Sequence, residues 1–272
     1  MLVFMVAQNN YYRPLVLLVL LAFTNGLNGT ELEAQCVTDR ADYFSFVNWD
    51  YRHRNDLIGW KHSTRLIQAS LKDWGYSMQV SRAENSSVDG LQQFQQKILS
   101  RSSSGLKLIY LASHQTPSGQ IEFPNQTKAF WSEAFVNHGI LAGDPSILIL
   151  DVCHAGVIPQ VSMNEGIPFD YLLAASAANE ETYELRMFAR RPVDFRRRYP
   201  AAVEWMKDQL GSEWEGQVSF TGFFWVRQFL QWPQPPRSSA EWREFLRGME
   251  QEASSFTSER SRYLSSTLKV WE

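Results

Sequence analysis

Short apolar runs that alternate with helical segments are the feature of this 272-residue chain that most restricts its fold. The runs fall at residues 43–47, 106–112, 147–150 and 172–176. The run at 147–150 is wholly apolar, as expected of a central strand that is covered on both faces. An alternation of strands and helices predicts a mainly parallel sheet between two helical layers, a three-layer α-β-α sandwich.

Between these strands, apolar residues recur at the three- and four-residue spacing of amphipathic helices. Leu66, Ile67 and Leu71 share one face of a helix predicted over 57–74, which Gly75 ends. The other predicted elements are helices over 88–99, 130–138 and 241–264 and a short strand over 76–80.

Composition excludes one class of function. The formal net charge is −3 and 44% of the residues are hydrophobic, so nucleic acid is not expected as a partner. The ten tryptophans could form platforms for sugars, but at helical spacing such residues are ordinarily part of a core. We therefore expect an ordinary globular α/β domain.

The first residues have the composition of an export signal. Residues 14–23 are an unbroken apolar run that follows Arg13. About ten apolar residues are too few to cross a bilayer as a helix, but they suit the hydrophobic region of a signal peptide. We expect a signal peptide or N-terminal anchor over 1–34 and a secreted or periplasmic protein, bound to a membrane only if that segment is uncleaved.

Two reactive side chains follow neighbouring predicted strands. His114 comes just after the strand at 106–112, and Cys153 just after the strand at 147–150. Sites in parallel sheets lie at the carboxyl ends of the strands, and neighbouring strands are about 4.8 Å apart. An imidazole within reach of a thiol can take its proton or pair with the thiolate, which is the nucleophile. The two residues are a candidate nucleophile and base.

Other interpretations of these residues stay open at this point. Cys36 and Cys153 are the only cysteines, and in an oxidising compartment they would ordinarily pair. A cysteine or histidine after a strand is also commonly a buried structural residue. No metal or other cofactor is expected, because His53, His62 and His138 have no metal-ligand spacing.

The residues around the pair form recognisable motifs. Residues 108–114 read Leu-Ile-Tyr-Leu-Ala-Ser-His, and residues 147–156 read Ile-Leu-Ile-Leu-Asp-Val-Cys-His-Ala-Gly. They resemble the caspase-like clan of cysteine peptidases, which includes caspases, metacaspases and legumain-type enzymes. The resemblance implies a caspase-hemoglobinase-like peptidase domain over 35–231, followed by a C-terminal helical extension over 232–272.

Two further segments share the resemblance. Residues 172–184 are similar to the segment that forms one wall of the primary specificity pocket in the clan, with Ser176 as a candidate substrate contact. Ser219, ahead of an apolar helical stretch, is similar to a recurring late helix start. His154 is expected to point away from Cys153 and to be structural.

The resemblance also implies a mechanism, in which Cys153 forms a thioester with the substrate and His114 acts as acid and base. The backbone N–H groups of Cys153 and of the residue after the histidine would form the oxyanion hole. The clan usually has glycine at that second position, and this chain has Gln115. If a positive φ is required there, a side chain costs free energy and turns the donor away. A catalytically inactive scaffold is therefore the alternative to an active peptidase.

Substrate preference is expected to depend on Asp151. In the metacaspase branch, the Asp two residues before the Cys lies in the primary pocket and selects Arg or Lys. A buried carboxylate needs a compensating partner, which a basic substrate side chain would supply. The alternatives are an internal partner such as Arg52 or Arg54, and a legumain-like preference for Asn.

The expected partner is therefore a peptide or protein, and the oligomeric state does not follow from the sequence. Transamidation would replace hydrolysis if an amine outcompeted water at the thioester.

Self-cleavage is expected at an arginine cluster if that stretch is a surface loop and the enzyme cuts after Arg. The cluster consists of Arg186, Arg190, Arg191, Arg196, Arg197 and Arg198.

Overall fold

The apolar runs assemble into a sheet in a computed structural model of the chain. The structure describes residues 39–51, 56–101, 105–130, 145–157, 169–184, 193–211, 217–260 and 268–271. Residues 37–272 form one compact unit. The expected export segment and Cys36 lie outside the described ranges. Among the helices in those ranges, none has the length and hydropathy of a membrane span.

Eight strands are described, and most of them run parallel. They are β1 (Arg40–Val47), β2 (Ser77–Glu84), β3 (Leu106–Gln115), β4 (Gln120–Glu122), β5 (Lys128–Phe130), β6 (Ser146–Val152), β7 (Tyr171–Ala174) and β8 (Lys269–Trp271). The main sheet has the order β2-β1-β3-β6-β7-β8, in which β8 alone is antiparallel to its neighbour. This confirms the predicted mainly parallel sheet.

The two central strands are buried along nearly their whole length. Every residue of β6 is buried, and in β3 His114 is the one residue that is not. Residues of both strands are therefore enclosed on both faces, as the apolar run at 147–150 predicted.

Six helices are described, and three of them begin within two residues of the starts predicted at 57, 88 and 241. They are α1 (Ile58–Asp73), α2 (Val88–Ser100), α3 (Val193–Arg198), α4 (Pro200–Leu210), α5 (Phe220–Gln231) and α6 (Ser239–Arg260). After α1, Gly75 has a φ of 81°, a left-handed conformation that glycine adopts without strain. Ser87 caps α2 by accepting a hydrogen bond from the Gly90 N–H at 3.3 Å.

Successive residues of each central strand face opposite helical layers. In β3, Leu108 and Tyr110 belong to one apolar cluster, and Ile109 and Leu111 belong to another. The first cluster includes residues of α1, α4, α5 and α6, and the second includes residues of α2. Helices therefore cover both faces of the sheet, which is compatible with the predicted three-layer sandwich.

The segment after Gln231 contributes to the same core. Trp242, Phe245 and Met249 of α6 are fully buried in the first cluster, which confirms that this predicted helix packs against the domain. β8 then pairs with β7 and adds a strand to the sheet. The C-terminal part is thus a component of the compact unit formed by residues 37–272.

The region between β3 and β6 differs from the sequence prediction. β4 and β5 form a hairpin beside the end of β3, and at three residues each they are too short for periodicity to reveal them. The helix predicted over 130–138 does not begin at Phe130, which is the last residue of β5, and the rest of it lies outside the described residues.

Candidate active site

His114 and Cys153 lie at the carboxyl ends of neighbouring parallel strands. β3 and β6 pair in register as far as Ser113 and Val152, so His114 and Cys153 are the next residue along each chain. Neighbouring strands are about 4.8 Å apart, which brings the two residues to one point at the end of the sheet. Both are partly exposed, whereas Ser113 and Val152 are buried. The candidate base and nucleophile are therefore adjacent and accessible.

The turn after β6 presents the thiol of Cys153. Its Sγ donates a long hydrogen bond to the Thr182 carbonyl at 3.9 Å. The next residue, His154, has a φ of 56°, which is uncommon for a residue with a side chain. Its Nδ1 lies 3.1 Å from the Ala178 carbonyl, in keeping with the structural role expected of it.

Ser176 supports this turn from below. Its hydroxyl is fully buried, donates to the Val152 carbonyl at 3.1 Å and accepts from the Ala155 N–H at 3.1 Å. The Gly156 N–H donates to the Ser176 carbonyl at 3.0 Å. The predicted contact between the Ser176 hydroxyl and a substrate would therefore require the turn to rearrange, and the geometry assigns the side chain to holding the nucleophile in place.

Residues 177–184 run alongside the Cys153 turn. The His154 N–H donates to the Glu180 carbonyl at 2.7 Å. A Cβ on Gly156 would lie 2.6 Å from the backbone nitrogen of Ala178, so the approach of the two backbones requires glycine. The glycine of the motif is thus explained by close packing of the turn against this segment.

His114 is positioned by Tyr51, which lies shortly after β1. The two rings meet edge to face, with centroids 4.6 Å apart and an interplanar angle of 64°. The His114 N–H donates to the Tyr51 hydroxyl at 3.2 Å, and that hydroxyl donates to the Glu122 carbonyl at 2.8 Å. The sequence does not indicate this role of Tyr51, because the residue lies in a polar run and only its aromatic ring distinguishes it there.

Backbone hydrogen bonds of β3 fix the direction of the Gln115 N–H. The Ala112 carbonyl accepts from Asn48 at the end of β1, and the Thr116 N–H donates to Gln120 of β4. The backbone N–H and C=O groups of successive residues point to opposite sides of a strand, so those of residues 112, 114 and 116 all face β1 and β4. The N–H of Gln115 is therefore directed to the β6 side, on which Cys153 lies.

The glutamine at position 115 fits the strand without strain. It is the last residue of β3, and the described non-glycine residues with positive φ are Asn85, Gln126 and His154. Its side chain is buried and donates from Nε2 to the His154 carbonyl at 3.1 Å. The expected penalty for replacing glycine does not arise in this conformation, and the glutamine adds a bond across the two strand ends.

Asp151 lies beneath the candidate pair in a polar cluster. Its side chain is 0% exposed and accepts hydrogen bonds from Trp60 Nε1 at 3.0 Å, Tyr110 OH at 2.7 Å and Ser219 Oγ at 2.5 Å. Burial raises the pKa of this carboxyl above its ordinary value, and the hydrogen bonds from Ser219 and Tyr110 act in the opposite direction. All three donors are uncharged.

This environment bears on the expected substrate preference. A carboxylate that already accepts three internal hydrogen bonds can meet a basic substrate side chain only if Trp60 or another donor moves. The alternative internal partners Arg52 and Arg54 lie outside the described residues.

The arginine cluster at which self-cleavage is expected is described in part. Arg186, Arg190 and Arg191 lie outside the described residues. Arg196, Arg197 and Arg198 are exposed on α3, so this part of the cluster is helical and not a loop.

Among the described residues, no group of three or more His, Cys, Asp or Glu side chains is arranged to hold a metal ion. No protein-family model matches the chain, and no curated protein matches it either.

Proposed function

We propose that the protein is a cysteine peptidase that hydrolyses peptide bonds through Cys153 and His114. The register of β3 against β6 is the observation that carries the proposal. It sets a thiol and an imidazole side by side at the carboxyl ends of two parallel strands, and the Gln115 N–H is directed to the same place. Nucleophile, base and oxyanion donor are the three parts that acyl transfer requires.

The reaction begins when the Cys153 thiolate attacks the carbonyl carbon of the scissile bond. The carbonyl electron pair moves onto oxygen, where the backbone N–H groups of Gln115 and Cys153 stabilise it. The C–N bond then breaks, His114 gives its proton to the leaving amine, and a thioester remains. Water next gives a proton to His114 and attacks the thioester, the C–S bond breaks, and the thiolate and the product acid are released.

A caspase-like fold and export from the cytoplasm belong to the same proposal. The fold is supported by the motifs that end in His114 and surround Cys153 and by helices on both faces of a mainly parallel sheet. Export is supported by the apolar run at 14–23. Membrane attachment would follow only if this segment were retained.

For the substrate, we propose cleavage after Arg or Lys, with Asp151 as the recognising carboxylate. This requires Trp60 to leave the carboxylate when a basic side chain enters, because Trp60 Nε1 donates to Asp151 in the present arrangement. The alternatives are a legumain-like enzyme that cleaves or transfers after Asn and an inactive scaffold.

The test is hydrolysis of fluorogenic peptides that end in Arg, Lys, Asn or Asp by the wild-type chain and by Cys153→Ala. We expect cleavage after Arg or Lys that is lost in the variant. Cleavage after Asn alone would retain the dyad and remove Asp151 from recognition. A folded wild-type chain that cleaves none of the peptides under reducing conditions would contradict a peptidase.

The reactivity of the thiol provides a second test that does not depend on the choice of peptide. In a Cys36→Ala background, Cys153 is the one remaining cysteine, so iodoacetamide reports on it alone. We expect alkylation at pH values well below about 8.5, the ordinary pKa of a thiol, and loss of this reactivity in His114→Ala. Equal alkylation profiles with and without His114 would show that the two residues do not act as a pair.

A further inference from the structure

The hairpin beside β3 places a buried carboxylate opposite His114. In the antiparallel register of β3 and β4, His114 faces Glu122, and Gln115 faces Ile121. Residues directly opposite in such a pair project to the same face of the sheet, with Cβ atoms about 4.5–5.5 Å apart. The Glu122 carboxylate therefore projects from the sheet on the same side as the His114 imidazole.

The neighbours of Glu122 fix this orientation. Ile121 and Phe123 are fully buried in the apolar cluster that contains α2, so the side chain between them projects to the opposite face. On that face lies Tyr51, whose ring packs against His114. The hydroxyls of Tyr51 and Ser113 both donate to the Glu122 carbonyl, at 2.8 and 2.9 Å. The backbone of Glu122 is thus held beside the imidazole.

Burial makes this carboxylate unusual. Glu122 is 6% exposed, whereas Lys128, opposite it on β5, is exposed to solvent. A buried carboxylate costs several kcal/mol unless a cation or hydrogen-bond donors compensate it. An imidazolium ion in the position of His114 is such a partner, and it is the state that a thiolate–imidazolium pair requires.

Resting on the proposed function, we propose that Glu122 is the positioning residue of the site, a carboxylate that orients the His114 imidazole and stabilises its protonated form. It acts through His114 and does not contact the substrate. By favouring the imidazolium, it also favours the thiolate of Cys153. The site would then be a triad of Cys153, His114 and Glu122.

Several other titratable groups lie on the elements that surround the pair. They are Tyr51 after β1, Lys128 on β5, His154 in the nucleophile turn, and Glu180, Glu181 and Tyr183 in the segment at 177–184. Tyr51 contacts His114 through its ring and hydroxyl, which are uncharged at neutral pH. Lys128 faces Glu122 from β5, on the side of Glu122 away from β3. Of these groups, Glu122 is the anion that the strand register sets opposite the imidazole.

The test measures the pH dependence of Cys153 alkylation in two full-length chains that both carry Cys36→Ala. One chain keeps Glu122 and the other carries Glu122→Gln. Loss of the carboxylate destabilises the imidazolium and hence the thiolate, so the midpoint of alkylation should rise by about one pH unit or more. Glu122→Asp keeps the charge, so its midpoint should lie between those of Glu122→Gln and the wild type. Glu84→Gln, an exposed carboxylate at the end of β2, is the matched control and should leave the midpoint unchanged.

The outcomes separate this inference from the proposed function. A midpoint that moves in His114→Ala but not in Glu122→Gln would retain the dyad and overturn the role of Glu122. A midpoint that moves in neither would overturn the dyad itself. If Glu122→Gln is less stable but alkylates as the wild type does, Glu122 is structural. If Glu122→Gln does not fold, Glu122→Asp decides. The Asp side chain is one methylene shorter, so its carboxylate lies farther from His114 and should stabilise the imidazolium less. An alkylation midpoint in Glu122→Asp identical to that of the wild type would therefore contradict a direct pairing.

Discussion

Asp151 shows how strongly the surroundings of one residue can change its expected role. From its place two residues before Cys153 we expected a carboxylate open to substrate, yet it is fully buried among Trp60, Tyr110 and Ser219. Burial raises its pKa, so the folded chain binds this proton more tightly than the unfolded chain does. Stability from this group is therefore greatest at low pH and is lost as the pH rises from about 3.9 through the raised folded value.

Asp151→Asn removes this titration. We expect the free energy of unfolding of the wild type, relative to the variant, to fall with rising pH across that window and then to stay constant. The slope is at most about 1.4 kcal/mol per pH unit, and urea unfolding between pH 3.5 and 8 would measure it. Asp208→Asn, exposed on α4, is the control. Curves for wild type and Asp151→Asn that stay parallel throughout would contradict the assignment.

Some residues of the candidate site could be predicted from the sequence, and others could not. His114 and Cys153 could be predicted because each follows an apolar strand, and strand ends are where parallel sheets place reactive groups. Tyr51 and Glu122 could not, because they reach His114 through a loop and a short hairpin whose register is not a local property.

Among the elements, α5 is joined to the buried Asp151 by the residue that caps it. Ser219 caps this helix by accepting from the Gly222 N–H at 3.0 Å, and the same hydroxyl donates to Asp151 at the end of β6. The Ser219 N–H donates to Ser63 of α1 at 3.0 Å. One serine therefore joins two helices and a central strand.

Ser219→Ala removes the cap and the bond to Asp151 together. We expect a loss of about 2 kcal/mol or more in the free energy of unfolding, from the sum of a cap and a hydrogen bond to a carboxyl group. Ser87→Ala, which removes the exposed cap of α2, should cost about 1 kcal/mol or less. Equal losses in the two variants, measured by urea unfolding, would show that the buried bond contributes nothing beyond capping.

Element prediction succeeded where periodicity was long and failed where it was short. β1, β3, β6 and α1 follow from runs of apolar residues with a clear period. α4 was not predicted, although Ala202, Val203, Met206 and Leu210 on its buried face have a helical spacing that is visible in the sequence. β8, at three residues, is a strand only because β7 offers it an edge, which no local pattern reveals.

In the molecule as a whole, the C-terminal part is a structural component of the sheet domain. α6 packs on α5, and Trp242 stacks on Trp225 with ring centroids 6.0 Å apart and an interplanar angle of 29°. Both tryptophans are fully buried, as expected for core residues. The chain from residue 37 onward should therefore unfold in a single transition, without a separate step for the segment after Gln231.

Trp242→Ala tests this. Truncating a fully buried tryptophan should lower the free energy of unfolding of the whole domain by about 3–5 kcal/mol. Trp205→Ala, at a partly exposed position on α4, should cost clearly less. Calorimetry of the two variants would show it, and a Trp242→Ala chain whose main transition is unshifted while a second, smaller one moves would mean that the C-terminal segment is an independent unit.

The bonds around the nucleophile turn have a consequence for its motion. The N–H groups of His154, Ala155 and Gly156 are bonded in turn to Glu180, to the Ser176 hydroxyl and to the Ser176 carbonyl. A loop that is held in this way cannot open one amide at a time. Its amides should exchange with deuterium as a group and nearly as slowly as those of the buried strand from which the turn emerges, so the Cys153 thiol would sit on one of the most slowly opening parts of the chain.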